Sequence, residues 1–147
     1  RSEHLAPLGV PQVPLDTLCE SADVVTLHTP LDASTRDLFD ASRLARLRPG
    51  AILVNTARGA IVDEGALLAA LDAGHLAGAF LDVLREEPAA PSPLTLHPRV
   101  LTSAHVGGST DASVRAMAAA ALRNLEEAMP VPLLRARLSA GVIEPLP

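Results

Sequence analysis

The chain has 147 residues, 48% of them apolar, and a net charge of −5. That length supports one domain with a real core, while the acidic balance and dispersed arginines argue against a nucleic-acid-binding surface. The lone Cys19 excludes an internal disulfide and any cysteine-based zinc spacing, so no metal is expected; no apolar run is long enough to span a membrane, and residues 1–10 lack the apolar centre of a signal peptide.

With Phe39 and Phe80 as its only aromatic residues, the core must be built from Ala, Val, Leu and Ile. Such residues suit helices packed on a buried parallel sheet. In chain order, Leu15–Ser21 reads as a short helix, and residues 24–28 (VVTLH) read as a buried strand. Residues 40–47 form a helix stopped by Pro49 and Gly50. A second strand covers 51–56 (AILVNT). Asp63 can cap a helix that runs to Ala73 and stops at Gly74, with Leu67, Leu68 and Leu71 on its apolar face. A third strand covers 78–83 (GAFLDV). Residues 85–99 hold four prolines and read as a loop. A fourth strand covers 100–104 (VLTSA), and Ser109 or Thr110 caps an Ala-rich helix that ends at Pro130. Residues 133–138 can add a helical turn to the tail. The pattern divides into a domain over 1–130 and a tail over 131–147.

Strands alternating with helices imply an α/β fold with a parallel sheet and right-handed crossovers. The third connection, 84–99, is long enough to cross without a helix. Ligands of such sheets bind beyond the carboxyl ends of the strands. The first strand ends at His28, Thr29 and Pro30, and the second runs through Thr56 into Ala57, Arg58 and Gly59. The third ends at Asp82, with Glu87 five residues on, and the fourth at His105, Val106, Gly107 and Gly108. Two imidazoles, a guanidinium and two carboxylates therefore fall on one sheet edge.

His105 and Glu87 make a plausible acid–base pair, because a neighbouring carboxylate favours the protonated imidazole. Arg58 offers a planar fork of donors matched to a carboxylate. Taken singly, each has a plainer reading: a strand-end histidine bonded to backbone, a surface arginine, a turn-capping Asp82, a solvated acidic loop around Glu87. Their convergence favours function. His4, His75 and His97 have no such placement and read as surface residues. Cys19 has no basic neighbour to activate it, and no G-x-S-x-G marks a serine hydrolase.

Four ordered blocks, ADVVTLHTPL, AILVNTARGAIVDEGALLAALDAGHLAGAFLDV, REEP and LTSAHVGGST, resemble the signatures of the D-isomer-specific 2-hydroxyacid dehydrogenases, closest to the 3-phosphoglycerate dehydrogenase type. The resemblance implies a Rossmann-like fold, NAD as cofactor with NADP as the alternative, a small 2-keto or 2-hydroxy acid substrate, and a homodimer in the full-length protein; the single cysteine fits a reducing cytosol, so a cytoplasmic location is expected. It implies that Arg58 binds the substrate carboxylate, His105 passes a proton and Glu87 holds it. It also places His28, Thr29, Pro30, Thr56, Ala57, Arg58, Asp82, His105, Val106, Gly107 and Gly108 along the cofactor.

Ala104 stands where family members usually have Pro, and the tail after Pro130 lacks the Gly-and-Pro ending expected there. No G-x-G-x-x-G occurs in the sequence. By the resemblance the first two strands, the glycine-rich loop, the ribose-binding Asp and the substrate domain are absent, and residues 24–28 correspond to a strand whose pairing edge lies bare. Alone, such a chain is expected to bind NAD poorly and turn over little. Two further readings use the same residues: a truncated, inactive fragment, and an NAD-sensing module like the corepressor relatives. The intact Arg58, Glu87 and His105 favour an enzyme over a sensor. Glu87 also argues against formate and phosphite dehydrogenases, which usually replace it.

Overall fold

A computed structural model of the chain describes residues 9–128. The chain divides into two compact units, Arg1–Val106 and Gly107–Pro147. His4, the expected boundary at residue 130 and the tail over 131–147 lie outside the described residues.

The first unit runs α1 (Leu15–Ser21), β1 (Val24–Leu27), α2 (Ala41–Arg46), β2 (Ile52–Asn55), α3 (Glu64–Asp72), β3 (Gly78–Leu81) and β4 (Val100–Thr102). The strands form one parallel sheet in the order β1-β2-β3-β4. Its register places Leu27, Asn55, Leu81 and Thr102 side by side in one row. Every loop that leaves the carboxyl edge therefore starts from the same line. The expected strands are each one or two residues too long at that end, because the chain turns into these loops as soon as the row is reached.

Local chemistry fixes the helices. The Asp40 carboxylate accepts the Arg43 N–H at 2.8 Å and starts α2, and the Asp63 carboxylate accepts the Ala66 N–H at 3.0 Å and starts α3. Gly74, at φ +69°, turns the chain after α3. The third crossover holds no helix, as the sequence predicts; buried Leu94 anchors it.

Cys19, Leu44, Leu67 and Leu71 from the helices pack against Val25, Leu27, Leu53, Ala79 and Leu81 from the sheet. Each fully buried Val or Leu among them contributes about 1.5–3 kcal/mol. The continuous aliphatic runs suggest strands buried on both faces, but burial alternates along them. Val24, Ile52, Phe80 and Leu101 on the other face are 38–67% exposed. Successive right-handed crossovers carry α2 and α3 to one face, and no described helix of this unit covers the other.

Two histidines read as surface residues are tucked in. The turn at Gly74 folds the chain back so that the His75 carbonyl accepts the Gly50 N–H at 2.7 Å, and His75 Nε2 is enclosed. The His97 side chain is 11% exposed; Nε2 faces Asp72 at 3.5 Å and Nδ1 accepts the Arg99 N–H at 3.1 Å. In the second unit α4 (Asp111–Ala128) is capped by Thr110, whose hydroxyl oxygen accepts the Ser113 N–H at 3.1 Å, which decides between Ser109 and Thr110.

Candidate active site

The loop after β2 is built by Asn55, a buried polar residue at the end of an otherwise aliphatic strand. Its side-chain oxygen accepts the Ala57 N–H at 3.1 Å, and its amide nitrogen donates to the Arg58 carbonyl at 2.9 Å. That carbonyl also accepts the Ile61 N–H at 3.2 Å, which starts a short 3-10 turn over Gly59–Ile61. Arg58 is thus fixed at its backbone, while its exposed guanidinium folds onto the Ala57 carbonyl at 2.6 Å. Sequence reasoning passed over Asn55 and this turn, although a lone Asn closing an aliphatic strand is a turn-forming signal.

Asp82 braces the loop after β4. It is 4% exposed, and its Oδ1 accepts the Ser103 hydroxyl at 2.5 Å and the Val106 N–H at 3.0 Å. Its backbone carbonyl accepts the His105 N–H at 2.8 Å. These bonds hold His105 at φ 54°, a left-handed conformation that costs a non-glycine residue about 1–3 kcal/mol. The ring that results lies beside Glu87, with Nδ1 donating to Oε2 at 2.7 Å. The other Glu87 oxygen accepts the Leu84 N–H at 3.0 Å. The bond to His105, and after it the bond from Leu84, holds the Glu87 carboxyl below the usual carboxylate range.

Gly59 joins the two loops. A Cβ at that position would lie 2.0 Å from the Leu84 carbonyl carbon and 2.4 Å from the Arg85 nitrogen. Only a bare backbone lets the Glu87 loop sit directly on the Arg58 loop.

Three cavities share these residues. His28, Thr29, Pro30, Thr56, Ala57 and Arg58 line one of about 550 Å³. Asp82, Glu87 and His105 line a second of about 360 Å³, together with Thr102, Ser103 and Ala104. Arg58, Glu87 and His105 line a third of about 330 Å³. The expected guanidinium, imidazole and carboxylate thus border one space. Within the first loop His28 Nε2 lies 2.9 Å from Thr26 Oγ1, and the Thr35 hydroxyl donates to the Pro30 carbonyl at 2.8 Å. Gly107 and Gly108 are the exposed first residues of the second unit. Burial pushes the Cys19 thiol up, which keeps it unreactive. Among the described residues no cluster of three His, Cys, Asp or Glu can hold a metal ion, and no helix is long and apolar enough to cross a membrane.

Residues 1–107 match the family described as D-isomer specific 2-hydroxyacid dehydrogenase, NAD binding domain. The D-3-phosphoglycerate dehydrogenase of Bacillus subtilis is 44% identical over 108 residues, which are 74% of this chain and 21% of that protein. A glyoxylate reductase from Paecilomyes thermophila superposes with a TM-score of 0.77 at 38% identity, over 82% of this chain and 37% of the other. The NAD complexed form of a D-isomer specific 2-hydroxyacid dehydrogenase from Lactobacillus delbrueckii ssp. bulgaricus superposes at 0.77 and 32% identity, over 87% and 43%. The chain spans about a fifth of the length of the first of these and some two fifths of the others.

Proposed function

Because the chain belongs to the D-isomer specific 2-hydroxyacid dehydrogenases, through their NAD-binding domain, we propose that it supplies the proton-transfer and carboxylate-binding groups of an enzyme that interconverts 2-keto acids and D-2-hydroxy acids. The observation that carries this reading is the 2.7 Å bond between His105 Nδ1 and Glu87 in a cavity that Arg58 also lines.

The bond occupies Nδ1 and leaves Nε2 as the atom that passes a proton. In the direction of reduction Nε2 protonates the substrate's carbonyl oxygen, and Glu87 balances the charge on the ring before that step. Arg58 binds the carboxylate beside the carbonyl and stabilises negative charge as it develops on the oxygen. The ties at Asn55 and Gly59 hold these groups in place beforehand, so little reorganisation accompanies the reaction.

The first cavity is read as part of the cofactor cleft, and Asp82 is assigned the nicotinamide end of NAD. Exposed Thr29 and Thr56 bring hydroxyls, and Pro30 and Ala57 bring apolar surface, the mixture a bound cofactor needs. His28 and Arg58 complete the lining of this cavity. When bound, NADH supplies the hydride for C2 of the substrate. NAD is chosen over NADP on the family's description. A homodimer of the full-length protein is the assembly that the family resemblance implies, and the buried, unpaired Cys19 suits a reducing compartment such as the cytoplasm.

The test is NADH consumption by the full-length protein with a panel of 2-keto acids, repeated with His105→Ala and Arg58→Gln. His105→Ala should lose turnover while NADH affinity stays, and Arg58→Gln should raise KM for the keto acid. Equal loss of turnover and NADH binding in His105→Ala would contradict the proton-transfer role. NADH binding without turnover on any keto acid would point instead to an NAD-sensing module.

A further inference from the structure

We propose that Asp37, Arg85 and Glu64 form a clamp that positions Glu87, and through it His105, against Arg58. The proposal rests on the reading of those three as the reacting set.

Glu87 stands in an irregular crossover, where no helix or strand ladder fixes it. Its bond from the Leu84 N–H is local, within the same loop. Beyond the bond to His105 and the packing of Leu84 on Gly59, further hydrogen-bonded ties to the rest of the unit come from Arg85. Its N–H donates to Glu64 Oε1 at 2.6 Å, and its guanidinium donates to the Val62 carbonyl at 3.1 Å and to the Asp37 carboxylate. Glu64 sits in the first turn of α3, where the helix end favours its negative charge. Asp37 is held at φ 52° while its N–H donates to the Ala60 carbonyl at 2.9 Å. The loops after β1, β2 and β3 therefore meet at one arginine, two residues from the carboxylate that carries the proton relay.

Exposure separates this role from a stabilising one. The Arg85 and Asp37 side chains are 35% and 42% exposed. Ion pairs that open to water contribute little to stability. What the cluster supplies is location, and misplacement of a reacting group costs rate steeply. Arg85 also borders the cavity shared by Arg58, Glu87 and His105. A direct substrate contact would show in KM, whereas positioning shows in kcat.

The test follows amide hydrogen exchange at Leu84 and steady-state kinetics in the full-length protein. The variants are Asp37→Gly, which suits the left-handed backbone, Glu64→Ala, and Glu64→Gln, which keeps an acceptor oxygen. Asp37→Gly and Glu64→Ala should speed exchange at Leu84 about tenfold, with the melting temperature nearly unchanged. Their kcat should fall roughly tenfold to a hundredfold with KM for the keto acid held. Glu64→Gln should recover most of the protection. Unchanged exchange at Leu84 in both variants would overturn the clamp, as would a rise in KM at constant kcat. If the protein reduces no keto acid, the reaction reading fails by itself, and exchange at Leu84 still decides the clamp.

Discussion

Glu87 Oε2 and His105 Nδ1 lie 2.7 Å apart, although the two residues are 18 positions apart and stand on different loops. The pairing exists because both loops leave a sheet whose strand ends share one row. It is held from both sides: Asp82 fixes the backbone of His105, and the Leu84 N–H fixes the second oxygen of Glu87.

Replacing the carboxylate while keeping its shape isolates the charge. Glu87→Gln should lower kcat for keto-acid reduction by about 10²- to 10³-fold. NADH affinity should stay within error, as read by fluorescence titration.

The same carboxylate gives the fold an acid-sensitive contribution. Its pKa in the folded chain is held below the ordinary value, chiefly by the bond to His105. That contribution is present at pH values above the unfolded carboxylate pKa and is lost as pH falls through the lower folded value. Glu87 is 37% exposed, so solvent screening keeps it small, below about 1 kcal/mol. Denaturant titrations at neutral and increasingly acidic pH should show a shallower acid decline in Glu87→Gln than in the parent.

Much of the architecture was legible because aliphatic runs and turn residues act locally. AILVNT and VLTSA mark strands whatever surrounds them, and the Asp40 and Asp63 caps stand where the pattern predicts. Arg58, Glu87 and His105 were legible because a parallel sheet gathers strand ends on one edge. The rest depends on contacts between distant segments. The Arg85–Asp37 pair spans 48 positions, and nothing near either residue announces the other. The enclosure of His75 and His97 follows from a chain reversal at Gly74, and the exposed sheet face from the side on which the crossovers fall. Neither is written in the strands themselves.

Gly59 is required by contact rather than by its own torsion. Gly59→Ala drives a methyl into the Leu84–Arg85 peptide, 2.0 Å from the nearest atom. Overpacking of this kind costs about 1–3 kcal/mol. A thermal scan should show a lower melting temperature, and turnover should fall because the Glu87 loop is pushed away from Arg58.

Asn55 holds the Arg58 loop from beneath. Asn55→Ala leaves the Ala57 N–H and one of the bonds to the Arg58 carbonyl unmade, at a cost of about 1–3 kcal/mol. The kinetic signature should be a raised KM for the keto acid, since Arg58 loses its placement, while the His105–Glu87 bond is untouched. Steady-state kinetics at saturating NADH separate the two parameters.

The central claim, that His105 and Arg58 serve a hydride transfer to C2 of a keto acid, is tested most directly by following the label. NADH deuterated at the transferring position of C4 should deliver deuterium to C2 of the product, and the product should have the D configuration. Product of the L configuration, or D product without deuterium at C2, would contradict it.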